Sequence, residues 1–410
     1  MKKINKNLFV FIIVFLIVGT GYLSRDYVGT MINSAKTFVT DTKVKGPMEA
    51  FSNFTSSVDN NSVDYLSNHS KFMDINSLYN NIINTRMVKK DDETVVKMDN
   101  GYLAGEVKNI PSSSLKHYAK NIKELQNKTN TPVVYVMAPE KGYNGGTPSN
   151  AQNNIKSNCD RFINELKRNS LDYLDLRDAM NKQKISEKKA FFNTDHHWKP
   201  STGLWATKEI CKKLNKNYDF SYSKKLIDIS NYNIKKYDNY FLGSYGKKVG
   251  TYFTKYGLDD FELITPKFDT DLVVNNPVKK QKQSGKFEDT IINSNSLSYD
   301  DVYDSWVYST YSYGDNALQI IDNKKSDKIA KTILVVRDSF AGVVTPYLSL
   351  ECKQLHILDL RESVIGTDRI KSVSDYANKI KPDYIIILYK TVKTEECYDF
   401  NWFGKLKWKK

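Results

Sequence analysis

A chain of 410 residues with 40% hydrophobic content is long enough for one large domain or two smaller ones, which excludes disorder as a global reading. Its 61 Lys and Arg against 47 Asp and Glu leave a formal charge of +14, so the surface favours an anionic neighbour: nucleic acid, an acidic polymer or a membrane face. Charge alone does not choose among them.

The N-terminus does. "MKKINK" carries three lysines, and Asn7 to Leu23 then runs without a charge, somewhat short of the ~20 residues of an average membrane helix. A cleaved signal peptide has the same polarity, but "GYLSRDY" puts bulky residues where a small-x-small cleavage site would lie. The expectation is an uncleaved anchor over residues 1–24. Lys2, Lys3 and Lys6 precede the span, while Arg25 and Asp26 roughly cancel after it, so the N-terminus is expected in the cytoplasm and the rest outside the cell. A basic domain in that place meets wall polymers, anionic lipids and polysaccharides rather than nucleic acid. Cys159, Cys211, Cys352 and Cys397 lack metal-type CxxC spacing, and they read equally as disulfide partners or as separate buried thiols.

Residues 25–100 are polar, rich in Asn and Ser and weakly periodic, a stalk with some helix leading into a domain expected over 101–410. Leu115, Tyr118, Ala119, Ile122 and Leu125 then follow helical spacing behind a cap among Ser112 to Ser114. "PVVYVMAP" (132–139) is a short apolar run ended by proline, hence a buried strand. A second helix buries Ile155, Cys159, Phe162, Ile163 and Leu166, and "LDYLDL" (171–176) is a second strand. Residues 215–330 break the pattern: rich in Tyr, Asn, Lys and Asp, with strand-like pieces at "ELIT" and "DLVV", they read as a large irregular insertion. From Thr332 the alternation returns, with "ILVV", "LHILD" and "DYIIIL" as strands. Between them lie a helix bent at Pro346 and one burying Ile370, Val373, Ala377 and Ile380. Strand alternating with helix predicts an α/β fold around a central parallel sheet.

Ligands of such sheets bind at the carboxyl ends of the strands. "ILVV" ends in "RDSF", which places Ser339 on a strand-to-helix turn where a hydroxyl is exposed and backbone N–H groups face a developing oxyanion. A serine needs a base, and the base a carboxylate that fixes its tautomer. "FFNTDHHWKP" (191–200) offers both. In an extended segment residues i and i+2 point the same way, so Asp195 can orient His197 while His196 faces opposite. Two other readings compete: a metal site built from Asp195, His196 and His197, and a structural histidine pair packed under Trp198. His69, His117 and His356 stand in unrelated contexts and supply no further ligand, so metal ranks last and no cofactor is expected.

"TDHHW", followed by "GDNALQIIDN", "ILVVRDSFAG" and "HILDLRE", resembles the DHHW proteins, relatives of the alginate O-acetyltransferases of the AlgX and AlgJ kind in the SGNH hydrolase superfamily. The resemblance covers roughly residues 100–390. It implies an SGNH hydrolase-like α/β/α sandwich and a triad of Ser339 as nucleophile, His197 as base and Asp195 as orienter. Arg361 falls where relatives carry an arginine near the acyl or sugar site, and Asn316 is a candidate oxyanion or substrate contact. His196, Trp198 and Tyr347 complete the expected substrate contacts. "FLGSYGKKVG" (241–250) matches a further family block, whereas Arg337 stands where a GDS motif has glycine.

The reading is a membrane-anchored, extracellular O-acetyltransferase acting on a surface or secreted polysaccharide, with a membrane-bound O-acyltransferase implied as the acetyl supplier. An acetylesterase of the same fold and a non-catalytic wall-binding module are the alternatives.

Overall fold

The three apolar runs "VVYVM", "TILVVR" and "YIIILY" become the middle of one sheet because every second residue meets a different hydrophobic layer. Val134 and Val136 of β4 (Val133–Met137) join one core while Val133, Tyr135 and Met137 join the other. Ile333 and Val335 against Leu334 and Val336 of β11 (Thr332–Arg337) do the same, as do Ile386 and Leu388 against Ile385 and Ile387 of β13 (Tyr384–Tyr389). Strands covered on both faces read as continuous apolar runs, which is how the sequence shows them. The computed structural model describes residues 69–90, 93–327, 329–360 and 372–390.

Helices pack on both faces. Ser112–Thr129, Ile155–Arg168 and Val373–Ile380 lie on one core, and Leu176–Lys182, Pro200–Asn217 and Thr345–Leu348 on the other. The apolar positions expected for the first two helices are all buried. The serine cap is not there: Pro111 is the N-cap and makes no side-chain bond. Pro346 does not bend a helix but opens a new short one, in the first turn where its missing N–H has no partner to lose.

The sheet is mixed rather than parallel. Its order is β5-β4-β13-β11-β12-β10-β8-β9, with β5 (Asp172–Asp175) and β12 (Gln354–Asp359) parallel to their neighbours in the first five strands. Antiparallel β10 (Leu318–Asn323), β8 (Leu272–Asn276) and β9 (Gln281–Gly285) extend it. All three come from the segment expected to be an irregular insertion. Its "DLVV" piece enters the sheet as β8, half-buried in alternation, and the polar "QKQSG" of β9 covers the open edge. "ELIT" lies in β7 (Asp259–Pro266), which pairs with β6 (Tyr232–Phe241) in a separate two-stranded ribbon.

The chain divides into residues 1–80 and 81–410. The first unit's described part is helical, within His69–Ile82. In the second, β1 (Met87–Lys90), β2 (Glu93–Lys97) and β3 (Leu103–Gly105) form a small antiparallel sheet. Its Val95 and Leu103 pack on Tyr245, Val249 and Phe253, so ordered structure begins ahead of the boundary expected at residue 101. No described helix is long and apolar enough to cross a membrane, and the expected span Asn7–Leu23 lies outside the described residues.

Candidate active site

Two turns meet at the carboxyl end of the sheet. The first follows β11. Asp338 accepts the Phe340 N–H through Oδ1 at 2.9 Å and the Lys390 N–H through Oδ2 at 3.0 Å, which ties the turn to the end of β13. Ser339 is the half-buried residue between two buried ones, so its hydroxyl faces outward. Its own N–H has no hydrogen-bond partner among the described residues, whereas that of Phe340 is taken by Asp338.

The second turn is the loop between Phe191 and Trp198, which are bridged to each other. Asp195 accepts the His197 backbone N–H at 2.8 Å and bonds the His197 ring Nδ1 at 2.6 Å through the same Oδ1. Its Oδ2 accepts the Ser244 N–H at 2.7 Å. The carboxylate thus fixes the Nδ1–H tautomer, leaving Nε2 to accept. That atom lies 2.7 Å from Ser339 Oγ. Burial works to raise the Asp195 pKa, but the electrostatic pull of the adjacent His197 and His196 rings and these hydrogen bonds overcome it and hold the carboxyl well below its ordinary range.

Asp195 and His197 meet through a side-chain-to-backbone turn, not through extended alternation. His196 therefore does not face the opposite way. Its ring lies 3.7 Å from that of His197, and its Nδ1 is 2.7 Å from Ser244 Oγ. Burial and the adjacent His197 keep His196 well below the usual histidine pKa, hence neutral. On its other face His197 is stacked by Tyr308, centroids 4.0 Å apart and rings 12° from parallel.

Three groups outside the Asp195–His197–Ser339 line hold this loop in place. Lys141, buried just beyond β4, donates through Nζ to the carbonyls of Phe192 at 2.6 Å, Asn193 at 3.0 Å and Asp195 at 2.6 Å. Burial lowers its pKa to about 8 against the pull of Asp259 and Asp195. Asp259, at the start of β7, accepts the Asn193 N–H and, at 2.7 Å, the Thr194 N–H. The third is the block "FLGSYG". Thr194 Oγ1 accepts the Gly243 N–H and Thr194 O the Gly246 N–H, both at 2.8 Å.

The remaining expected contacts fall differently. Trp198 and Tyr347 are fully buried in the core: the Trp198 indole donates to Phe340 O at 2.8 Å, and the Tyr347 hydroxyl reaches Ile264 O at 3.2 Å. No polymer can touch them, so their assignment to substrate gives way to core packing, which in the case of Trp198 joins the two turns. Asn316 is also buried, with its amide spent on Ser312 O at 2.8 Å and its oxygen on Asn276 at 2.6 Å, which makes it the anchor of its own turn. Arg337 turns its guanidinium into a salt bridge with Asp315 at 2.7 Å and also donates to the Asp338 carbonyl at 3.3 Å, bracing the turn that carries Ser339. Arg361 lies outside the described residues. Cys159, Cys211 and Cys352 are buried thiols, and Cys397 lies outside the described residues.

Asp195, His196 and His197 offer ligand atoms within 4.8 Å of one another, which is close enough to hold a cation. Yet the 2.6 Å between Asp195 Oδ1 and His197 Nδ1 is the length of a direct hydrogen bond. Two ligands ~2.0 Å from one tetrahedral ion stand further apart than that. The arrangement can instead remove a proton from Ser339 and stabilise the resulting imidazolium, the two acts a nucleophilic serine requires.

Residues 102–226 match the family model of the SGNH hydrolase-like domain of the acetyltransferase AlgX. The resemblance read from the sequence holds. Among solved structures, Bacillus cereus PatB1 with a sulfonyl adduct superimposes with a TM-score of 0.60 at 18% identity, over 78% of this chain and 99% of that one. A DHHW family protein from Eubacterium siraeum gives 0.57 at 15%, over 78% and 98%. At such identities these likenesses establish the fold. No curated protein matches.

Proposed function

We propose that the chain is an O-acetyltransferase that passes an acetyl group through Ser339 to a hydroxyl of a cell-surface or secreted polysaccharide. One observation carries this reading: the unbroken line from Asp195 through His197 to Ser339, with 2.6 Å and 2.7 Å links, on a domain like that of an acetyltransferase. Ser339 Oγ attacks the acetyl carbonyl as its proton passes to His197 Nε2, and the leaving group departs with that proton. An acceptor hydroxyl then attacks the acetyl-serine, giving its proton to Nε2, from which Ser339 recovers it. Asp195 keeps the ring oriented and balances the imidazolium in both halves. The unpartnered Ser339 N–H is the donor nearest at hand for the carbonyl oxygen as it gains charge.

The uncharged run Asn7–Leu23 supports an anchored, extracellular setting, in which a membrane-bound O-acyltransferase delivers the acetyl group. The deciding experiment gives the protein a chromogenic acetyl ester with and without an oligosaccharide acceptor. Transfer appears as acetylated sugar that forms at the expense of free acetate; acetate alone marks an esterase, and turnover unchanged in Ser339→Ala removes the nucleophile.

A further inference from the structure

Trp306 leaves 73% of its surface exposed. Singly exposed hydrophobic side chains are common on protein surfaces, and what sets this one apart is its place beside the site. Its position is tied to the site from two sides. Two residues on, Tyr308 stacks on His197 at 4.0 Å. Across from it, Lys247 stands with Nζ 4.7 Å from the indole centroid and donates to Ser305 O. Lys247 belongs to the helix Ser244–Val249, whose first residue holds Asp195 Oδ2 and His196. The segment is not loose: Ser305 and Val307 on either side are buried, Val307 in the main core, and Trp306 O accepts the Ser309 N–H at 2.8 Å. Both neighbours are therefore fixed while the indole between them is held out. The indole N–H makes no hydrogen bond among the described residues.

We infer that Trp306, with Lys247 beside it, is a platform on which one pyranose ring of the acceptor stacks while a neighbouring sugar presents its hydroxyl to Ser339. The inference rests on the polysaccharide reading above and specifies its contact. A pyranose with equatorial hydroxyls turns its axial C–H bonds outward on a flat face. Those hydrogens carry partial positive charge and meet the negative face of the indole, much as a cation does. Lys247 Nζ lies over one face of the indole and donates to Ser305 O, so the sugar takes the opposite face, and the indole N–H supplies a donor to a hydroxyl at the rim. A platform of this kind holds the chain by its shape, so sugars of similar outline share it.

Isothermal titration of the full-length, detergent-solubilised protein with chitopentaose and with cellopentaose tests this. At least one should bind with a millimolar or tighter constant. Trp306→Ala should weaken that binding about tenfold or more, and Trp306→Phe, which keeps an aromatic face, should weaken it less. Absence of binding to the wild-type protein, or equal binding to Trp306→Ala, overturns the platform. Ester turnover in wild type and Ser339→Ala is measured in parallel. Ser339-dependent turnover without sugar binding removes the platform and leaves the enzyme, whereas Trp306-dependent binding without such turnover leaves the platform and removes the transferase.

Discussion

A β-carbon on Gly243 would stand 2.2 Å from the β-carbon of Asp195 and 2.5 Å from its backbone nitrogen. No real contact is that short, and because part of it is backbone it cannot be relieved by a rotamer change. The closeness is what allows the next residue, Ser244, to donate its N–H to Asp195 Oδ2. Gly243→Ala should therefore push the Asp195 turn away from Ser339. Turnover of a chromogenic ester is expected to fall by about a hundredfold, the scale of a misplacement near 1 Å, with a loss of ~1–3 kcal/mol in stability from overpacking. Full activity in this variant would show that the loop adjusts freely and that the block "FLGSYG" does not position the site.

The paired histidines make different contacts, and the proposed mechanism makes only one of them the base. His197 bonds both Asp195 and Ser339, while His196 Nδ1 stands 3.7 Å from Asp195 Oδ1 and is spent on Ser244. His197→Ala should cost roughly four orders of magnitude in turnover, as disabling a triad member does elsewhere. His196→Asn, which keeps a polar partner for Ser244, should cost about tenfold or less. Equal losses from the two substitutions, restored by added zinc, would favour the cation site instead.

The parts of the site that could be read from the sequence are those whose chemistry is written in residue type: Asp195, His197 and Ser339. Lys141 and Asp259 were not legible because they act on backbone carbonyls and N–H groups, and such contacts leave no spacing between side chains of the motif. The position of Lys141, at the carboxyl end of β4, was the available signal. Tyr308 lay in a segment with no periodicity at all. A similar limit explains the sheet. Runs buried on both faces, such as β4 and β13, announce themselves, whereas β8 and β9 sit toward an edge, alternate or turn polar, and resemble loop. Trp198 and Tyr347 were misplaced for the opposite reason: a large aromatic beside a motif has the same signature whether it faces substrate or core.

Lys141 predicts an alkaline limb in the activity. With its pKa lowered to about 8 by burial, the ammonium gives up a proton at a pH where an ordinary lysine at 10.5 does not. A neutral amine has two N–H donors for three carbonyls, so the loop holding Asp195 loosens and turnover should fall above pH ~8. Stability moves the other way. The unfolded chain keeps the proton up to about 10.5, so the cost of burying the charge is full below about 8 and declines between the two values. Thermal midpoint and turnover measured together from pH 7 to 10 separate the two effects. A limb that follows a loss of stability would mean global unfolding, not loop release. Lys141→Met should abolish turnover at every pH, since it leaves the buried Phe192 and Asp195 carbonyls without a donor at ~1–3 kcal/mol each and leaves Asn193 O only the Leu103 N–H.

Glu351 predicts the reverse slope at neutral pH. It lies ahead of β12, at the end of the sheet away from Ser339, with Oε2 accepting the Ser223 N–H at 2.8 Å and Oε1 buried without a partner. Burial raises its pKa to about 7, with the Ser223 N–H opposing and the charge of Asp327 adding. The folded protein then holds a proton that the unfolded chain releases near 4.5, so the favourable contribution is full below 4.5 and is lost as pH rises to about 7. The whole loss is on the order of 3 kcal/mol. Glu351→Gln keeps an oxygen for Ser223 and cannot ionise. It should match the wild-type thermal midpoint at pH 4.5, exceed it at pH 8 by an amount worth up to ~3 kcal/mol, and leave ester turnover unaltered. A midpoint lower than wild type at both pH values would show that the carboxylate is paired and stabilising where it stands.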